Sequence, residues 1–145
     1  MNSLLLKLNN PMGIKYDPEN IPWGCVGYCG GYVKFSHKLF GHIAGMKLMR
    51  SYANVGLRSV QDVVYRWVSD RGRDFDSTLH EVCAYCHCRR DTPFEGIVYV
   101  SMLYRALVFV ESGSILSVHE SWNIYDSVFP DVRKGNKPKS VIFKK

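Results

Sequence analysis

A chain of 145 residues that is 46% hydrophobic and 22% charged suits one domain, with enough apolar residues for a core that needs no disulfide staples. That balance excludes a disordered chain. The net charge of +6 comes from scattered basic residues, apart from "RKGNKPKS" and the final "FKK". No reading motif or stacking platform accompanies the charge, so specific nucleic-acid binding is disfavoured and an acidic partner is not.

The opening "MNSLLLKLNNP" holds a three-leucine run cut by Lys7, too short for a signal peptide's apolar region or a membrane span. With five cysteines, an odd number, this points to synthesis in a reducing cytoplasm. Residues 9 to 36 are rich in Gly, Pro and aromatics, so a packed N-terminal loop layer is expected. "GYVKF" fits one short strand, with Tyr32 and Lys34 on one side and Val33 and Phe35 on the other.

From Ser36 the period becomes helical: Leu39, Ile43, Met46 and Met49 form a stripe, broadened by Phe40, Leu48 and Tyr52, and Gly56 stops it. Ser59 to Asp62 resembles a capping box, followed by Val60, Val63, Val64, Trp67 and Val68 on one face. "SDRGRDFDS" is a polar break, and Thr78 to Glu81 is a second candidate box. Leu79, Val82, Cys83 and Cys86 continue an apolar stripe, so "CAYCHC" reads as core cysteines rather than a metal or redox motif. No metal or cofactor is expected. Thr92-Pro93-Phe94-Glu95 signals the start of a helix, apolar almost all round, that Gly113 ends. Ser117 to Glu120 opens a last helix with the stripe Val118, Trp122, Tyr125 and Phe129, stopped by Pro130.

The expected fold is therefore mainly α: a compact bundle of about five helices with a loop-rich N-terminal layer and at most a small β-hairpin. One domain spans residues 1–131, and a basic tail spans 132–145, where "SVIF" can dock as a strand.

The chain has five glutamates. Glu81, Glu95 and Glu120 have capping explanations, which leaves Glu19 and Glu111. Glu111 ends the most hydrophobic helix, in "LVFVESG". A carboxyl against apolar walls has its pKa raised and can serve as a general acid in glycoside cleavage. The bland alternative is an exposed residue of the last turn. No acyl-transfer, zinc-protease or phosphate-loop motif is present.

Three segments taken together, "NNPMGIKY", "GYVKF" followed by "GHIAGMKLMRSYANVGLRSVQDVVYRW", and "RRDTPF", resemble a family of virion structural proteins of tailed phages and prophages. Asn10, Pro11, Ile14 and Lys15 match its opening Asn-Pro-x-x-Ile-Arg-like motif. Trp23, Gly31, Tyr32 and Phe35 match an aromatic layer. Gly41, Ala44, Tyr52, Gly56, Leu57, Arg66 and Trp67 match a helix pair. The departures are Ile43, where relatives carry Arg, and "VSDRGRDFDS", where relatives follow Arg-Trp-Ala-Pro with Pro, Glu, Asn, Asp and Thr before the next helix.

The resemblance implies a virion or envelope-associated structural or accessory domain that docks on other phage or envelope proteins. Some relatives are associated with cell-wall degradation, which makes peptidoglycan a second expected partner. Under that alternative the protein is a lysozyme-like glycosidase or transglycosylase with Glu111 as general acid, assisted by Glu19 or an aspartate within residues 70 to 76. Trp23, Tyr32, Phe35, Arg66 and Trp67 are the expected binding set, either as an aromatic cluster pinning the loops or as a sugar groove. A cleft at Glu111 facing the N-terminal layer favours the enzyme. An exposed apolar patch favours docking.

Overall fold

The computed structural model describes residues 3–129; the proposed tail and its "SVIF" segment lie outside them. Six helices and one two-stranded hairpin make up the fold: α1 (Ser3–Lys7), β1 (Cys25–Cys29), β2 (Tyr32–Phe35), α2 (Lys38–Asn54), α3 (Val60–Ser69), α4 (Phe75–Cys86), α5 (Gly96–Ser112) and α6 (Val118–Val128). The mainly helical class and the small hairpin are as the sequence indicates. The extra helix, α1, has only five residues, too few for any periodicity to announce it.

The near-continuous apolarity of α5 places it at the centre, where it packs against α2, α4 and α6. Leu103, Tyr104, Ala106, Leu107 and Val108 are fully enclosed there. The expected face of α3 is the buried one, Val60, Val63, Val64, Trp67 and Val68. Its Ser59 hydroxyl accepts from Asp62 N at 3.3 Å, but Asp62 reaches back to the Arg58 amide rather than that of Ser59. The shorter Asp side chain explains the difference. Ser117 and Glu120 make the full reciprocal box on α6.

Four helix features depart from the sequence reading. On α2 the buried face runs through Gly41, His42, Gly45, Met46, Met49 and Tyr52, while Leu39 points outward. Close approach by two glycines, not the leucine, sets which side faces inward. Helix α4 begins at Phe75, because Asp74 caps it by accepting from Ser77 N at 2.8 Å; Thr78 is buried inside the helix. Helix α5 begins at Gly96 rather than at Pro93. The 92–94 segment is instead extended: Thr92 O accepts from Val60 N, and Phe94 N donates to Arg58 O, each at 2.9 Å. Thr92 uses its hydroxyl to accept from Arg89 N. On α6, Ser121, Ile124, Tyr125 and Val128 are buried while Val118 is exposed.

The N-terminal layer is tied down by backbone and amide bonds. Gly30 and Gly31, at φ 59° and 84°, make the two-residue turn that joins β1 to β2. Val33 and Phe35 face inward as alternation requires. Residues 14 to 16 run beside β2, with Val33 N on Ile14 O at 3.0 Å and Tyr16 N on Gly31 O at 2.8 Å. Buried Asn10 donates to Ile14 O and Val33 O, both at 2.9 Å, and accepts from Ile14 N at 2.8 Å. One amide thus bonds three backbone groups and ties the 10–14 loop to β2.

His42 and Tyr104 join α2 to α5 inside the core. Nδ1 lies 2.8 Å from the Tyr104 hydroxyl, and that hydroxyl donates to the His42 carbonyl at 3.2 Å. The single hydroxyl proton is then spent, so His42 donates from Nδ1 and leaves Nε2 unprotonated, buried and without a protein partner. Burial, with nearby Lys38, lowers the His42 pKa to about 4; Glu120 opposes weakly. Between about pH 6.5 and 4 the unfolded chain holds the proton and the folded chain does not. Stability is therefore complete above 6.5 and falls as pH drops through that window, by about 3 kcal/mol at pH 4. Thermal melts across this range should show the slope, and His42→Leu should flatten it.

Candidate functional site

The site grows from the last turn of α5. Glu111 is one residue before the end of that helix, and Gly113 ends it at φ 73°. The apolar faces of α5 hold the turn against the core, so the carboxyl is only 7% exposed. It does not point to bulk solvent. Its Oε1 accepts from Arg73 Nη1 at 3.3 Å and lies 4.0 Å from Arg71 Nε.

Both arginines come from the polar break between α3 and α4. Arg71 is held by both terminal nitrogens: Nη1 donates to Trp67 O at 3.1 Å, Nη2 donates to Met12 O at 3.1 Å, and its guanidinium lies 4.6 Å above the Trp67 ring. Arg73 flanks the same ring at 5.6 Å, and its guanidinium donates to Glu111. Arg66 belongs to the binding set expected from the sequence, but it does not hold the loop carbonyls. Arg71, one turn further along, holds them instead, while Arg66 is exposed and pairs weakly with Asp70 at 3.9 Å.

Around Glu111 lies an open pocket of about 530 Å³, lined by Ser3, Leu4, Lys15, Tyr32, Arg71, Arg73 and Val110. The wall opposite α5 is thus the N-terminal layer. Lys15 is held there by donating to Asp70 O at 3.0 Å. Gly13 forms part of the seat for the carboxyl: it has φ 66°, and a Cβ there would lie 2.8 Å from Glu111 Oε2. Gly13→Ala is expected to displace the carboxyl and to add left-handed strain of about 1 kcal/mol. The displacement should show as a changed Glu111 carboxyl titration by NMR, and the strain as a small drop in melting temperature.

Two influences compete at Glu111. Burial raises its pKa, and Arg71, Arg73 and Lys15 lower it; burial wins, leaving the group above the ordinary carboxylate range. Glu111 is the one carboxylate among the described residues that line the pocket.

The expected binding set does not assemble as one cluster. Tyr32 reaches the Glu111 pocket, while Phe35 and Trp67 are fully buried in the scaffold. Trp23 is 70% exposed and meets the Phe40 ring edge-on at 4.6 Å. It lines a separate groove of about 550 Å³ with Ile14, Ile21, Ile43 and Leu48, and Lys15 lines both hollows. Arg71 and Arg73 are the site residues that the sequence reading missed. Their signal was the Arg-Gly-Arg spacing, in which Gly72, at φ 66°, turns the chain between the two guanidinium groups.

Cys83, Cys86 and Cys88 are half-buried against the core. Burial, then Cys88 alongside, pushes the Cys86 thiol up to about 12 and Cys83 to about 11. Thiols so placed are poor nucleophiles at neutral pH. Among the described residues no group of three or more His, Cys, Asp or Glu is arranged to hold a metal, and no helix is long and apolar enough to cross a membrane.

Set against models of known protein families and against curated proteins, the chain finds no match.

Proposed function

We propose that this protein cleaves the glycan strands of peptidoglycan, with Glu111 as the general acid. The observation that carries this reading is a single buried carboxyl, held above its ordinary pKa range, in a pocket that faces the N-terminal layer. A proton passes from Glu111 to the bridging oxygen as the bond between that oxygen and the sugar's anomeric carbon breaks. With no second carboxylate among the described residues of the pocket wall, the oxygen of the sugar's own 2-acetamido group bonds to the anomeric carbon in the substrate-assisted manner. Water then opens that ring and returns a proton to Glu111. Between these steps Arg71 faces the carboxylate and stabilises its charge.

The test is digestion of isolated peptidoglycan by the purified protein and by Glu111→Gln, with released fragments weighed by mass spectrometry. Fragments from the wild type alone support the reading. No fragments from a folded wild type, across several salts and pH values, would sink it.

A docking role on a phage particle or host envelope is the second reading. It is favoured by a different observation: the N-terminal layer leaves Ile21, Trp23, Val26 and Tyr28 exposed. Exposed aromatic and branched side chains of this kind mark protein interfaces. An inactive wild type that binds particle proteins through Trp23 would establish it.

A further inference from the structure

Arg71 and Arg73 flank the same carboxylate and the same tryptophan, yet they are held very differently. Arg71 is 9% exposed, and its guanidinium is locked onto the carbonyls of Trp67 and Met12. Arg73 is 33% exposed, lines the pocket, and spends one N–H on Glu111. A guanidinium carries five N–H donors, so most of its fork is uncommitted. Lys15, on the opposite wall, commits one of its three donors, to Asp70 O. Three cations and one carboxylate leave the pocket with a formal charge of about +2, well beyond what pairing with Glu111 requires. A neutral sugar has no use for that excess.

We propose that Arg73, with Lys15 facing it, forms an anion subsite beside Glu111 that takes the free carboxylate of an acidic sugar in glycan stripped of its stem peptides. This rests on the glycan-cleaving reading and adds the unit that the site selects. The planar fork of Arg73 suits bidentate contact with a carboxylate, and Lys15 adds a point charge. The bound anion draws Arg73 away from Glu111 and adds a negative neighbour. Both changes favour the protonated acid, so occupancy of the subsite readies the proton donor.

The experiment is calorimetric titration of full-length Glu111→Gln, which binds without turnover, at low salt. The probes are an oligosaccharide of alternating N-acetylglucosamine and N-acetylmuramic acid, its carboxyl methyl ester, and a neutral N-acetylglucosamine oligomer of equal length. The free acid should bind at least roughly tenfold more tightly than the ester, as one charged hydrogen bond provides. Arg73→Gln in the same background should erase that preference, and Arg66→Gln, on the exposed face of α3, should keep it. Equal affinity for acid, ester and neutral oligomer would overturn the anion subsite while leaving the glycan reading intact. Binding of none of the three by the folded protein would overturn both.

Discussion

Glu111→Gln is expected to lower glycan cleavage by roughly 10²- to 10⁴-fold, the range that a general acid contributes. Gln keeps the side-chain volume and an oxygen that can accept from Arg73, so circular dichroism and the proton spectrum should overlay on those of the wild type. What disappears is the proton. The pH profile carries a further signature. Because burial raises the Glu111 pKa above the ordinary range, the active, protonated form persists to higher pH than for an exposed glutamate. Activity should decline as pH rises through that elevated value. Arg73→Gln removes a charge that holds the pKa down, so the same limb should move to higher pH. An Arg73→Gln limb moving to lower pH would contradict the electrostatic account of the site.

Gly41→Ala carries the largest expected effect on stability. A Cβ at this position of α2 would overlap the carbonyl oxygen of Asn9 and come within 2.9 Å of Pro11 Cδ. Neither can yield readily, because the loop is anchored on both sides. Asn10 N donates to Leu5 O at 2.9 Å, tying it to α1, and Asn9 Nδ2 donates to Phe35 O at 3.1 Å, tying it to β2. Asn9 itself already sits at φ 56°. Overpacking against fixed backbone costs about 3 kcal/mol or more, a melting-temperature drop of roughly 10 °C at this chain length. Lys47→Ala, exposed on the same helix, should change stability by less than about 0.5 kcal/mol. An alanine at Gly41 that melts with the wild type would mean the loop does not lie against α2 as described.

Where local chemistry decides the outcome, the sequence was legible. The Val60-to-Val68 face, the Ser117–Glu120 box, the Gly113 stop and the Val33/Phe35 alternation depend on neighbours within a few residues. Where a distant segment competes, it was not. Thr92-Pro93 has every local mark of a helix start, but hydrogen bonding with residues 58 to 60 draws it into extended backbone. Leu39 looks like core, but the loop at residues 9 to 11 seats on Gly41 and turns α2 accordingly.

The site divides in the same way. Glu111 stood out because a glutamate closing an apolar helix has few mundane explanations. Arg71 and Arg73 lay in a stretch that reads as an ordinary polar loop. Only the packing of Trp67 and residues 12 to 13 shows that the loop delivers them to the carboxyl. Trp23, by contrast, was expected with Trp67 and stands apart, since nothing local to an aromatic residue reveals which cluster it joins.

The catalytic reading stands on burial outweighing two guanidinium groups at Glu111. Carbon-13 NMR of the side-chain carboxyl, titrated from pH 2 to 9 on selectively labelled protein and assigned by loss of the signal in Glu111→Gln, measures this directly. A midpoint clearly above the ordinary glutamate value of about 4.3 is the expected result. A midpoint below it would show that Arg71 and Arg73 dominate, that the carboxylate stays ionised, and that Glu111 is a structural ion pair rather than an acid.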